Sequence, residues 1–590
     1  YVSPRKRAET RRDGRVVASD TPSRSFSFDT LAPEIIRAVD VYKTQNATLT
    51  EGAIGGLVDI RTAKPFDFKD RRIVGTVKAQ YNDSSEEWGP WASFVFSDRF
   101  NDGNTGLLFS LNYNKSTETV NSVNNFQWVP ASQDRSDAGV VPDATELSRF
   151  PGPVWYARPV KPTQVRETDT FRPQSLNRRS DEVERERGTL NAVFQHAFSD
   201  DLTITADALY SEFDVTQNGT SAGNWFWRPV TNYDFEREDP ELLQRYYDSI
   251  PGWVAWVPYE TPEDHALYHA YPGVPAHVVD ENGTLVTMAH GGNGLASETF
   301  RDIRDTDMTV LGFNVDWQIN DKLFFNGDVF YSSANDNDKG NQRIITLETE
   351  TETDWIAYDH SQGTPVPILQ NFTSENVVPE DFLIAQVQQQ GQDISAENIG
   401  LKLDFAWDFD RAGTLRFGAQ FASNEKENQI YEEDSVFQNV YKLNTRGFNT
   451  VRAALGLPNS ENFQRITLGS TTDDLSQFIY PGSLGLGLPV DDTTIFLVDP
   501  QAFLDHISSE EVIRMIEAAN NPDVMRAWLD QQGFEGMDLW EAFNAAGGFN
   551  PLKTPDSYAI EEETAAIYLN HEFDFNLGSV PVFGMVGLRY

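Results

Sequence analysis

His265 and His269 stand four residues apart, the spacing that places two imidazoles on one face of a helix and would suit a zinc ion. No Glu follows the first, so the metalloprotease pattern is missing, and the sequence offers no third ligand. A Thr-Glu repeat sets Glu348, Glu350, Glu352 and Asp354 on one face of a strand. Such carboxylates could take calcium, but the simpler reading is a solvated acidic face. Aromatic residues crowd one polar stretch, where Trp225, Trp227, Trp253 and Trp256 are the candidate substrate contacts. Their rings would stack on sugars or apolar ligands while the indole N–H keeps a hydrogen bond. The same rings would serve equally as a local core or a membrane-interface girdle. With no cysteine, thiolate chemistry and disulfides are excluded together. Neither a P-loop nor a G-x-S-x-G elbow occurs. The expectation is therefore a binding protein, not an enzyme, with no cofactor and no metal.

The elements that position these residues are not those of an ordinary soluble chain. Across 590 residues, 47 Lys+Arg oppose 90 Asp+Glu for a net charge of −43, which excludes nucleic acid as a partner because phosphate neutralisation needs clustered cations. Mean hydropathy is −0.48 although aromatics reach 12%. No run of about 18 apolar residues is present, so a transmembrane helix is ruled out. Barrel strands escape that test, since about 9–11 alternating residues suffice to cross.

From Ile73 onward, alternating stretches come in pairs joined by short polar turns. The clearest is Ile399–Phe409, where Ile399, Leu401, Leu403, Phe405, Trp407 and Phe409 share one face against Gly400, Lys402, Asp404, Ala406 and Asp408. Its turn, Asp410–Gly413, leads into Leu415–Phe421. Similar units carry turns at 101–104, 199–201, 320–322 and 576–581, and a lone strand near 72–81 precedes them, making eleven strands. The gaps between units, about 115–187, 214–306, 334–397 and 424–562, are too long for loops of a compact domain. Outer-membrane barrels alternate short periplasmic turns with long extracellular loops, so the pattern predicts an all-β membrane protein. A soluble β-sandwich shares the alternation but turns every 8–12 residues or so. An odd count is half of the roughly 22 strands of the large plugged transporters, so the chain is expected to hold the first half of a barrel. It opens YVSPRKRAETRRDGRV, without the apolar core of a signal peptide, and is expected to begin downstream of the true start. Within the last gap, Asp499-Pro500 predicts a helix start, Ser508 with Glu511 a capping box, Pro522 a helix stop, and 524–529 a second helix.

Residues 26–68 read FSFDTLAPEIIRAVDVYKTQNATLTEGAIGGLVDIRTAKPFDF. Physical reasoning predicts a helix-to-strand transition over Ile35–Tyr42, glycine turns at Gly52, Gly55 and Gly56, a strand over Val58–Thr62, and an end to ladder pairing at Pro65. The segment also resembles the C-terminal part of a TonB-dependent receptor plug. Pro33, Glu34, Tyr42, Lys43, Glu51, Gly52, Gly55, Gly56, Arg61 and Pro65 match that motif in order, with Asp59 where the family has Asn. Asp13-Gly14-Arg15 resembles the family's upstream turn. The wording is most like the subgroup common in Caulobacter- and Xanthomonas-like proteobacteria, which is linked to saccharide uptake.

The resemblance implies a large antiparallel transmembrane β-barrel with a small α+β plug domain in its lumen. Residues 1–68 would be the end of the plug and 69–590 the first half of the barrel. It implies an outer-membrane location, lipid around the wall, a solute such as an oligosaccharide, and TonB as a partner through a segment preceding residue 1. The rival readings are a ferric-siderophore receptor, which favours cationic pockets that this acidic chain argues against, and an adhesion or structural barrel, which needs no plug.

Overall fold

The computed structural model describes residues 9–22, 33–44, 46–49, 56–125, 128–130, 171–173, 175–225, 278–279, 284–291, 295–338, 342–349, 355–360, 368–370, 382–409, 413–432, 468–472, 474–477, 479–482, 495–519, 521–577 and 579–590. A small inner sheet comes first. It contains β1 Glu9–Arg12, β2 Arg15–Val16, β3 Ile36–Tyr42 and β4 Leu57–Thr62 in the order β2-β1-β4-β3. β1 turns into β2 through Asp13 and Gly14, whose φ values of 51° and 81° give the hairpin whose twist matches its strands. One 3-10 turn, Pro33–Ile35, feeds β3, which is the transition expected there. Gly56 sits at φ 128°, and a Cβ there would lie 3.0 Å from the Tyr42 carbonyl oxygen, so both backbone and space require glycine. Pro65 opens a second 3-10 turn and ladder pairing stops, as expected.

Among the described residues the main path of the large sheet has eleven strands, the expected number. They are β5 Arg72–Asn82, β6 Glu87–Phe100, β7 Thr105–Asn124, β8 Ser175–Ser199, β9 Leu202–Trp225, β10 Leu295–Asn320, β11 Leu323–Asn337, β13 Leu383–Asp408, β14 Thr414–Glu432, β15 Tyr558–Leu577 and β16 Val580–Arg589. β12, Gln342–Thr349, lies off this path and pairs with β10 and β13. Chain neighbours along the path pair antiparallel, and five tight connections fall at the expected turns, while a further one, residues 83–86 between β5 and β6, falls where no turn is expected.

The expected loop bounds need correction. β7 continues to Asn124, β9 to Trp225 and β14 to Glu432, while β8, β10, β13 and β15 begin at Ser175, Leu295, Leu383 and Tyr558. Much of what reads as loop is wall. Above the lipid both faces of a strand meet polar surroundings, so the apolar alternation that reveals a strand disappears.

The alternation inside the lipid is inverted relative to a soluble core. Leu107, Leu111, Leu311, Phe313, Val329, Ile399, Leu401, Trp407, Ile567 and Leu569 are exposed, while Ser110, Asn112, Asn191, Thr205 and Ser332 on the opposite face are buried. An antiparallel sheet that turns its apolar face outward and its polar face inward is a barrel wall in a bilayer. Its strand topology and polar lumen place it in an outer membrane. The run Ile399–Phe409 spans about 33 Å along its strand, which a tilt of about 40° reduces to about 25 Å, the height of an outer-membrane apolar band. Tyr113 and Tyr210 stand at the upper rim, and two residues further along Lys115 and Glu212 take their places. There Tyr113 donates to Glu186 at 2.9 Å and Lys115 to Glu184 at 2.8 Å.

The two faces can be told apart by substitution. Leu401→Arg is expected to destabilise the wall by about 1–2 kcal/mol, because the cation would enter the upper part of the lipid, short of the midplane where the cost is greatest. Its neighbour Lys402 is tolerated since it faces the lumen, 2.8 Å from Asp404. Urea unfolding from lipid vesicles checks this, and an Arg variant as stable as wild type would contradict a lipid-facing Leu401.

The inner sheet packs against the lumenal face. Val17, Ala18, Ile35 and Ile60 form one buried cluster with Leu209, Met308, Val310, Ala334 and Ala396 of β9, β10, β11 and β13. Pro65 approaches Gly106 on β7 so closely that a Cβ there would lie 2.5 Å away, and Ala47 stands as near to Gly587 on β16. One small unit touches β7 and β16 together, through residues flanking its sheet, only if the wall curls round it.

Beyond a single helical turn at Leu468–Thr471, four helices are described in the last gap: α1 Pro500–Ile507, α2 Glu510–Ala518, α3 Pro522–Gln531 and α4 Leu539–Ala545. Asp499 caps α1 with Pro500 at its first position, as expected. The cap of α2 is Ser509, not Ser508, and Pro522 starts α3 instead of ending a helix, since proline lacks an N–H that the first turn leaves unpaired anyway. The helices share a core with Ile345 and Leu347 of β12 and Ile384 and Val387 of β13. Ile345 is the cross-strand partner of Thr299, which lies on the Leu311 face of β10. The helical unit therefore packs on the outer side of the wall, above the lipid.

Candidate functional site

The lumen brings the inner sheet and the wall together through charge. Arg12 and Arg15 are cross-strand partners in the β1–β2 hairpin, 1% and 4% exposed. Like charges so placed repel unless an anionic partner faces them. The wall supplies it. Arg15 grips Asp328 with two parallel bonds, Nε to Oδ2 at 2.9 Å and Nη2 to Oδ1 at 2.8 Å, and Nη1 donates to Asp207 at 2.7 Å. Arg12 lies 3.4 Å from Asp207 and donates to Asn191 at 3.1 Å. Burial lowers the pKa of Arg12, whereas at Arg15 the same burial is outweighed by hydrogen bonds and charge from Asp328 and Asp207. Arg15 is thus the firmer of the two anchors. On the hairpin itself, Asp13 accepts from the Thr62 N–H at 3.0 Å and its hydroxyl at 2.6 Å, tying β1 to β4.

A second anchor lies further up the lumen. Arg304 of β10 stands 3.1 Å from Asp336 of the wall and 3.4 Å from Asp20 of the inner segment. Nearby, Ala18 donates its N–H to Ser332 at 2.9 Å and Lys426 donates to the Thr21 carbonyl at 2.7 Å. Burial raises the pKa of Asp20, against the pull of Arg304 and Lys426. A carboxyl whose pKa is higher folded than unfolded binds protons more tightly in the native state. The contact therefore gains stability as pH falls from neutral toward the unfolded value near about 4. Hydrogen exchange at Val17 and Ala18, corrected for intrinsic rate, is expected to slow at pH 5 relative to pH 7.5. In Asp20→Asn that difference should shrink, and a difference as large as in the wild type would assign the effect elsewhere.

The residues singled out in the sequence fare unevenly. Tyr42 closes β3 and Lys43 follows it, and Arg61 on β4 pairs with Asp40 at 2.5 Å. Pro33 starts the first 3-10 turn, Pro65 the second, and Gly56 precedes β4. Glu34 lies in that first turn without a described side chain. Glu51, Gly52, Gly55, Trp227, Trp253, Trp256, His265, His269 and the 350–354 carboxylates lie outside the described residues, while Trp225 ends β9 without a described side chain. Among the described residues no group of His, Cys, Asp or Glu could hold a metal ion. The anchors Asp207, Asp328 and Arg304 were not singled out, and only the D-G-R turn pointed toward Arg15.

No family model and no curated protein matches the sequence. Among solved structures, the chain is similar to the ferric citrate transporter FecA in its unliganded form, at 9% identity, with 73% of this chain and 70% of that one covered and a TM-score of 0.18. It is also similar to the siderophore receptor PirA from Pseudomonas aeruginosa, at 10% identity, with 73% and 80% covered and a TM-score of 0.18. The pyoverdine outer membrane receptor FpvA from Pseudomonas aeruginosa PAO1 gives 9% identity, 73% and 72% coverage and a TM-score of 0.18. At such TM-scores the likeness adds nothing to what the strands themselves show.

Proposed function

We propose that the chain is a TonB-dependent receptor of the outer membrane, with residues up to Phe68 forming its plug and those from Lys69 its wall. It captures a scarce solute from outside and releases it inward when TonB pulls on the plug. The observation that carries this reading is a folded sheet seated in the lumen by a handful of buried ion pairs. An adhesion or structural barrel has no use for such an insert. Seats made of charge pairs have two arrangements, paired or parted, which suits a force-driven rearrangement. No covalent chemistry is required.

The solute is a saccharide. The chain's net charge of −43 disfavours an anionic iron chelate, and Arg15 and Arg304 are already matched to carboxylates. The test is accumulation of labelled neutral oligosaccharides and ferric siderophores by cells carrying the full-length receptor, with and without TonB. Loss of TonB should abolish accumulation and spare surface binding. Accumulation indifferent to TonB would sink the transport reading, and uptake of iron chelates alone would replace the saccharide with a siderophore.

A further inference from the structure

One rung above the Arg304–Asp20 contact, the register aligns a set of polar side chains across five strands. Gln217 of β9 is the partner of Asp302 on β10, Gln342 of β12 is the partner of Gln390 on β13, and Gln390 is the partner of Glu432 on β14. The Gln342 amide donates to Asp302, which joins the two halves. All five lie on the lumenal face. Asp302 shares the face of β10 that carries Met308 and Val310, and Gln390 the face of β13 that carries Ala396, all of which pack against the inner sheet. Gln390 in turn donates to Gln342 and accepts from Gln388, one rung higher, where Phe300 and Ile344 form an apolar step.

We infer that this band is a recognition strip for a neutral, polyhydroxylated solute. The inference rests on the receptor reading above and deepens it. A hydroxyl both donates and accepts, and so does an amide, which carries two donors and two acceptor lone pairs. Gln390 spends one of each within the band, leaving one of each to offer. The carboxylates of Asp302 and Glu432 accept from hydroxyls and repel an anionic chelate. Ile344 gives the apolar face of a sugar ring a surface to lie on, beside Phe300, whose own ring is stacked under the Arg179 guanidinium at 4.0 Å. The strip also touches the plug's seat. Asp302 is two residues from Arg304 on the same face, so a solute drawing on Asp302 alters the charge that Arg304 shares with Asp20.

The experiment is calorimetric titration of the full-length receptor with a panel of neutral oligosaccharides and with ferric citrate. Gln390→Leu and Gln342→Leu are each expected to weaken the saccharide about tenfold or more, the scale of losing hydrogen bonds at a buried site. Gln429→Leu, beside the strip but on the outward face, should leave binding unchanged. A joint Asp302→Asn and Glu432→Gln variant should bind ferric citrate more tightly than wild type does. Heat-modifiable migration on gels shows which variants remain folded barrels. Saccharide binding that the two Leu variants leave intact would overturn the strip alone. A wild-type receptor that binds no saccharide would overturn the strip and the saccharide reading together.

Discussion

Arg15→Ala is expected to unseat the inner sheet while leaving the wall intact. The wild-type seam balances two guanidinium groups, Arg12 and Arg15, against Asp207 and Asp328, all buried or nearly so. Removing Arg15 leaves two wall carboxylates facing Arg12 alone, and breaking a buried pair from one side costs about 3–5 kcal/mol. Arg15→Lys should recover little, because one ammonium cannot make the two parallel bonds to Asp328 and a third to Asp207. Adding Asp207→Asn and Asp328→Asn should recover much of the loss, since the penalty lies in the stranded charge. The chain has no cysteine, so Val17→Cys, buried at 7% exposure in the seam, gives a single clean reporter. Maleimide should reach it slowly in the otherwise native receptor and within minutes in the Arg15→Ala background. Equal labelling in both would show that the seam does not depend on Arg15.

That seam shows what the sequence revealed and what it hid. The wall between Ile399 and Phe409 was legible because lipid on one side and the lumen on the other impose opposite polarity on alternate residues. Above it, Gln388 faces the lumen and Gln389 faces outward, where it meets Arg343 and the Phe549 carbonyl. Identical residue types on opposite faces leave no period to read. The helices were half legible for a similar reason. Asp499-Pro500 marks a start without ambiguity, but Ser508 and Ser509 are both able caps, and only the Ser509 side chain accepts the Val512 N–H. At the seam, only the likeness of Asp13-Gly14-Arg15 to the family's turn was legible, and it said nothing of the anionic surface that faces Arg12 and Arg15. What no local pattern could supply was its identity. Asp207 and Asp328 lie far along the chain, each one of many acidic residues on the lumenal face.

Glycine 312 carries the sharper test of the same seam. A Cβ there would lie 1.9 Å from Arg15 Nη1 and 2.2 Å from its Cζ. A long side chain can normally swing aside, but this guanidinium is held at once by Asp328 and Asp207. Gly312→Ala must therefore push it off its carboxylates or push the two sheets apart. The expected loss approaches that of Arg15→Ala, about 3 kcal/mol or more. Gly75→Ala on β5, where nothing lies within 4 Å of the added Cβ, is the control and should be neutral or slightly stabilising. The decisive comparison is the double variant. If Gly312 is glycine only to admit Arg15, then Gly312→Ala on top of Arg15→Ala should cost almost nothing, because the methyl enters space the guanidinium has left. A double-mutant cycle on the Val17→Cys labelling rate measures that coupling, which should be several kcal/mol and far from additive. Additive losses would mean that Gly312 serves the wall itself and that the inner sheet is seated by other contacts.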